Sequence, residues 1–239
     1  DIGRLHWTSA SEQRKHRAAR HTIKRLVDSN EVLRRTLPGG GAGYVLARRG
    51  AQRLKEHGYL WASAGDKIRI DEPNYYHRHL ANTYLINRTI QGWHPRFEHE
   101  VLRGRTPVRS MLGQAPDGFA ITPDGDCEWL EAEVSWKNRN RRERLIRIAR
   151  ELNDLHHMPT IGTDPYLKGE VVLERMTFVS SDSKPLNHIA NTLIQAYNDE
   201  VLKEVALSRI YMVEIDPSSN LVYRGVVNQY QPDELISKT

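Results

Sequence analysis

The sequence predicts an α/β chain in two units, a small basic one followed by a larger one built on a mixed central sheet. Three observations carry this. Segments of helical period alternate with short β-branched runs along all 239 residues. From residue 75 onward the order is helix, three strands, helix and strand with additions, the layering of an α/β sandwich. Charge divides the chain too: residues 1–60 hold 13 Lys/Arg against 5 Asp/Glu, and residues 61–136 hold 8 against 11. A length of 239 residues suits one larger domain plus a smaller one. We place the small unit at 1–61, a linker at 62–74 and the larger unit at 75–239.

In the small unit, residues 11–30 are helical, with Ala18, Ala19, Ile23, Leu26 and Val27 spaced for one apolar face. Arg14, Lys15, Arg17, Arg20, Lys24 and Arg25 cover the rest. Residues 32–37, with Arg34 and Arg35, and residues 44–46 read as strands around the loop Pro38-Gly39-Gly40-Gly41-Ala42-Gly43. A helix over 47–57 then stops at Gly58, a residue suited to the position just past a helix end. Basic helix, hairpin and helix resemble a winged-helix DNA-binding domain without its first helices. That truncation fits a chain that starts with Asp1 rather than Met, as a piece of a longer protein would. The Gly-rich loop has a second reading, a phosphate cradle. No Lys-Ser/Thr follows it and the helix comes too late, so the wing is preferred.

The larger unit opens with a helix over 75–91 whose apolar positions are Leu80, Tyr84, Leu85 and Ile90. A strand is expected over 96–103. A hairpin over 117–136 should turn at Pro123-Asp124-Gly125-Asp126. A helix over 139–157 should bury Leu145, Ile148, Ala149, Leu152 and Leu155. A β-rich run over 171–179, a helix over 186–205 and strands over 210–215 and 221–227 close the chain.

Chemistry concentrates on the hairpin. Alternate strand residues share a face, so Glu131, Glu133, Ser135 and Lys137 project together, while Leu130, Ala132, Val134 and Trp136 project the other way into a core. Pro116-Asp117 precedes this row by fourteen residues. Carboxylates converging at one point hold Mg²⁺ or Mn²⁺, which polarises a phosphodiester and activates its nucleophile. The lysine would neutralise charge in the transition state. Asp117 needs a bulge or an odd-numbered loop to meet Glu131 or Glu133, because an even register would put it on the apolar face. Glu98 and Glu100 are candidates for a further carboxylate. Alternatively, each pairs with Arg96 or Arg103.

Asp117, Glu131 and Lys137 together resemble the PD-(D/E)xK nuclease superfamily. Glu133 stands where that motif usually has its lysine, giving an ExE variant unless Lys137 reaches in. The succession of Tyr44-Val45-Leu46, Gly50, Leu54, a His-containing helix, Glu98-x-Glu100, Pro116-Asp117 and Leu130-Glu131-Ala132-Glu133 resembles the replication-relaxation family over most of residues 14–137. That family includes the MobC class of plasmid mobilisation relaxases. The resemblance implies a restriction-endonuclease-like fold, metal-dependent nicking at a transfer origin, and further transfer or replication proteins as partners.

Other features bear on partners and compartment. Residues 137–150 hold 7 Lys/Arg against 1 Asp/Glu. Here Arg139, Arg141, Arg142, Arg144 and Arg147 form a second cationic block, read as a DNA-backbone track or, failing that, a solvated helix face. His77-Arg78-His79 superficially resembles the histidine pair of histidine-metal relaxases, with Tyr75, Tyr76 or Tyr84 as nucleophile. Its helical surroundings favour a phosphate contact or an interface role instead. His156-His157 reads as a partner for a helix dipole. The one cysteine, Cys127, excludes an internal disulfide framework and a Cys-rich zinc site. No apolar run approaches membrane-span length, and a bacterial cytoplasmic location is expected. The expected function is a metal-dependent DNA nicking endonuclease. The alternatives are a non-catalytic replication or transcription regulator and a restriction or transposon endonuclease cutting both strands.

Overall fold

A computed structural model describes residues 9, 11–38, 40–60, 62–65, 72–104, 115–134, 139–154, 160–164, 167–216 and 221–227. The chain divides into two compact units, Asp1–Tyr76 and His77–Thr239.

In the first unit, helix α1 (Glu12–Asp28) leads into the antiparallel strands β1 (Val32–Thr36) and β2 (Ala42–Leu46), and then into helix α2 (Arg48–Glu56). Asn30 and Gly58 adopt positive φ just beyond the two helices, the left-handed conformation that ends a helix. Gly50 lies against the hairpin entry: a Cβ there would stand 2.2 Å from the carbonyl oxygen of Glu31. Its lack of a side chain lets α2 close on that backbone.

In the second unit, helix α3 (Glu72–Ile90) contributes its residues from His77 onward. Strand β3 (His94–Phe97), the short helix α4 (Glu98–Leu102), and strands β4 (Gly118–Ile121) and β5 (Asp126–Ala132) follow. Then come helix α5 (Arg139–Ala149) with a 3-10 turn at Arg150–Leu152, strands β6 (Thr160–Thr163) and β7 (Glu170–Ser180), helices α6 (Ser183–Asn198) and α7 (Glu204–Ser208), and strands β8 (Ile210–Ile215) and β9 (Leu221–Val226). The sheet runs β3-β4-β5-β7-β8-β9, with β6 pairing the start of β7. β5, β7 and β8 are parallel and the other pairings antiparallel, so the mixed α/β sheet of the sequence reading is present. β3, outermost on its side among the described strands, carries Pro95 opposite Ala120.

Both faces of the sheet are covered, as parallel strands require. Leu80, Ala81, Tyr84 and Leu85 of α3 pack with Ala120, Leu130, Ala132 and Val179. On the other face Phe119, Trp129 and Phe178 pack with Leu145 and Ile148 of α5, with Leu152 of the turn after it, and with Leu186, Ile189 and Leu193 of α6. Fully burying side chains of this size contributes roughly 1.5–3 kcal/mol each.

Three expectations are corrected. The strand expected over 96–103 ends at Phe97, and Glu98–Leu102 is helical. Glu100 begins that turn by accepting the Phe97 N–H at 3.0 Å, a local bond that a strand would not offer. The helix expected over 186–205 breaks after Asn198, where Glu200 takes a positive φ, and resumes as α7. The helix after residue 139 tightens to a 3-10 turn at Arg150. Leu145, Ile148, Ala149 and Leu152 are buried as expected. Leu155, Trp136 and His156-His157 lie outside the described residues.

Candidate functional site

The hairpin register decides where the acids go. Thr122 N–H donates to the Asp126 carbonyl, enclosing the three-residue loop Pro123-Asp124-Gly125, in which Gly125 has φ +99°. This odd-numbered loop is of the kind that carries a left-handed Gly. It sets Gly118 opposite Leu130, so one step further Asp117 and Glu131 arrive at the same end of the hairpin. That end holds the carboxyl ends of β5, β7 and β8, the usual side for ligands in sheets with parallel strands.

Asp117 leaves the ladder there. Its N–H donates to the Leu130 carbonyl at 3.0 Å, and its carboxylate Oδ2 accepts the Ala132 N–H at 2.7 Å, standing in for a strand partner. The same oxygen lies 3.2 Å from His77 Nε2 on α3. Glu131 shares a face with Trp129, whose indole N–H donates to Glu131 Oε1 at 2.6 Å. The two carboxylates are thus tied to different layers, Asp117 to α3 and Glu131 to the layer of Trp129. Glu133 is anchored by its backbone, its N–H donating to the Val179 carbonyl and its carbonyl accepting from Ser180 Oγ, both at 2.7 Å.

Burial of this row departs from the expectation of acids over an apolar floor. Glu131 and Glu133 are buried, and Val134, expected in the core, is 45% exposed. The strand is covered on both faces, so its alternation separates two interiors rather than inside from outside. Lys137, Ser135 and the side chains of Arg139, Arg141 and Arg142 lie outside the described residues. Arg144 and Arg147 are exposed on α5.

The further carboxylates are engaged elsewhere. Glu98 takes Arg78 Nε at 2.6 Å, a partner on α3 rather than Arg96 or Arg103, and Glu100 caps α4. Among the described residues no three His, Cys, Asp or Glu side chains gather into a metal-holding group. Of the tyrosines, Tyr84 is fully buried with its hydroxyl donating to Glu128 at 2.7 Å, which makes it an internal strut rather than a nucleophile. Tyr75 and the exposed Tyr76 meet edge to face at 5.2 Å, and His79 is exposed.

No family model, curated protein or solved structure matches this chain.

The sequence reading missed Glu128. It is fully buried on β5 and accepts from Tyr84, from Arg88 Nε at 2.8 Å and Nη2 at 3.0 Å, and from the Thr177 hydroxyl. Arg88 also stacks on Trp93, 4.5 Å from its centroid. An acid on the same strand face as Leu130 and Ala132, with Arg88 one helical turn beyond Tyr84, was the available signal. A second buried pair joins Arg96 to Asp164 through bonds of 2.8 and 2.6 Å. Beside Glu128, burial pushes the Cys127 thiol well up, and neighbouring acids add to it, so the cysteine is inert filling.

In the first unit Arg14, Arg17, Arg20, Lys24, Arg25 and Arg34 are exposed, and Lys15 and Arg35 half-buried. Glu31 takes Arg53 at 2.8 and 2.9 Å. Partial burial raises the Glu31 pKa, but hydrogen bonds from Arg53 and Ser29 outweigh it and hold the carboxyl below its usual range. That pair fastens α2 to the hairpin entry.

Proposed function

We propose that this chain is a metal-dependent DNA nicking endonuclease of the PD-(D/E)xK type, a relaxase acting at a plasmid transfer origin in the bacterial cytoplasm. The observation that carries the reading is the order α3-β3-α4-β4-β5-α5-β6-β7, with Asp117 entering β4 and Glu131 and Glu133 at the end of β5. With α4 and β6 taken as additions, that succession is compatible with a helix, three-strand meander, helix and parallel strand, which supports the nuclease reading. The basic helix and hairpin of the first unit supply a winged-helix-like DNA anchor.

Hard carboxylate oxygens of the kind that hold Mg²⁺ or Mn²⁺ come from Asp117, Glu131 and Glu133 at one end of one hairpin. Asp117 is tied to α3 and Glu131 to the layer of Trp129, so these acids do not form one cation site as placed, and a shared ion would require a side chain to change layer. After such a move a shared cation would polarise the phosphodiester and lower the pKa of an attacking water. The chain's own part is to hold these acids in place: Ala132 N–H fixes Asp117, and the Trp129 indole fixes Glu131. Arg144 and Arg147, exposed on α5, would guide the DNA backbone.

One observation favours a second reading, a non-catalytic DNA-binding regulator: Asp117 and Glu131 are tied to different layers of the sheet. Incubating supercoiled origin DNA with Mg²⁺ or Mn²⁺ separates the readings. Open circles that disappear with Asp117→Asn and Glu131→Ala support the relaxase. Bound but intact DNA supports the regulator, and linear product would instead mark a restriction or transposon type of endonuclease.

A further inference from the structure

We propose that a depression in the first unit, between the α1–β1 turn and the start of α2, seats one sugar-phosphate link of nucleic acid, with Arg48 and Arg49 as its cations. This rests on the reading of the first unit as a DNA anchor and is independent of the chemistry assigned to the second.

The depression has a volume of about 570 Å³ and is lined by Asn30, Leu33, Ala47, Arg48, Arg49 and Gln52. The half-buried Leu33 and the buried Ala47 make an apolar floor, and the exposed Asn30, Arg48, Arg49 and Gln52 make a polar rim. None of these lining residues is an acid. An apolar floor beneath paired cations suits a sugar together with its phosphate better than a bare anion.

The two guanidiniums are uncompensated. Glu31, the acid whose field Arg49 shares, is already occupied. Its Oε1 accepts from Arg53 at 2.8 Å and from the Ser29 hydroxyl at 3.1 Å, and its Oε2 accepts from Arg53 at 2.9 Å. Among the described residues neither Arg48 nor Arg49 has a hydrogen-bond or salt-bridge partner. Folding does not call for cations here either. The first turn of α2 holds no acid, and positive charge at the start of a helix opposes its dipole, so two arginines there cost stability until an anion faces them. The surrounding charge extends well beyond the depression: residues 1–60 hold 13 Lys/Arg against 5 Asp/Glu, and Arg17, Arg20 and Lys24 are exposed along α1. A long polyanion satisfies that distribution, and a small anion does not.

The test is a titration of the full chain with a fluorescently labelled mixed-sequence duplex, followed by anisotropy across a salt series. Wild type is compared with Arg48→Ala/Arg49→Ala, with Arg48→Lys/Arg49→Lys, and with Lys55→Ala, a cation of the same helix outside the lining. One phosphate contact carries a log–log salt slope of about 0.9, so its loss near ~0.1 M salt weakens binding about 8-fold. The alanine pair is expected to show that loss and a slope smaller by about 1, the lysine pair to bind within ~3-fold of wild type, and Lys55→Ala to change neither. The melting temperature of the alanine pair is expected to hold or rise, because the helix loses an unfavourable charge. A fall would give the arginines to the fold and overturn the inference. Unchanged binding by the alanine pair, or an equal loss in Lys55→Ala, would overturn it too and leave the anchor reading standing. Inorganic phosphate that binds wild type as tightly as the duplex would mark a free-anion site and overturn nucleic acid as the occupant. Absence of duplex binding by wild type would overturn both the inference and the anchor.

Discussion

Replacing Glu128 by Gln removes one charge from the interior without leaving a cavity, and the structure sets the size of the effect. The carboxylate is fully buried and takes two bonds from Arg88, one from Tyr84 and one from Thr177. Gln keeps an acceptor for the hydroxyls but leaves the guanidinium, itself 8% exposed, without its counter-charge. Breaking a buried pair from one side costs about 3–5 kcal/mol. Arg88 retains the Trp93 and Tyr84 rings at 4.5 and 5.0 Å, contacts of about 0.5–2 kcal/mol, which places the expectation near the low end. At 2–4 °C per kcal/mol for a unit of this size, melting should fall by about 10 °C. Urea unfolding followed by tryptophan fluorescence measures it directly, since Trp93 and Trp129 lie on opposite sides of the sheet. Adding Arg88→Met removes the stranded charge and should recover more than half of the loss. A single substitution costing under ~1 kcal/mol, or a double as unstable as the single, would show that the pair does not behave as a closed buried ion pair.

Three further outcomes follow from the same geometry. Because the Glu31 carboxyl is held below its usual range, its contribution to the first unit is complete at neutral pH and is lost as pH falls through the lowered value. The protection factor of the Ala47 amide, bonded to the Glu31 carbonyl, should fall in acid once intrinsic exchange is divided out, and Glu31→Gln should flatten that dependence. In Gly118→Ala the new Cβ would stand 2.8 Å from the Arg96 carbonyl oxygen, which cannot swing aside, and 2.7 Å from Leu85 Cδ1. A loss of about 1–3 kcal/mol is expected from calorimetry, and no change would deny the close approach of β3 and β4. Replacing Arg17, Arg20 and Lys24 together should weaken the preferred duplex more than a random one, whereas replacing Arg144 and Arg147 should weaken both equally and flatten the salt dependence; fluorescence anisotropy across a salt series distinguishes them.

What was legible in the sequence was local. Pro123-Asp124-Gly125 announces its turn because glycine alone suits the conformation at Gly125. The apolar spacing of Leu80, Tyr84 and Leu85 gives the buried face of α3 without knowledge of what it meets. Glu98-His99-Glu100 defeated the reading because its helix depends on one cap, Glu100 on the Phe97 N–H, against a β-like flank. Strand β6, only four residues long and paired across an irregular register, offers no period at all. Site geometry was the least legible: Glu128 meets Arg88 and Thr177 across 40 and 49 residues, and an acid that belongs to the core cannot be told from one that awaits a ligand until its partners are in place. The register bringing Asp117 and Glu131 to one end was open to arithmetic. The different layers to which they are tied were not.

Pro95 has a consequence for how the sheet ends. It sits within β3, the last strand on its side among the described residues, and has no amide hydrogen to offer. Proline is tolerated in a sheet where the missing hydrogen would point away from the ladder, so the outer rim of β3 lacks a donor that an incoming strand would need. A second copy of the chain can therefore extend the sheet past β3 only by leaving one of its own carbonyls unanswered. That discourages stacking of molecules rim to rim, a hazard for any chain that must stay dispersed at high concentration.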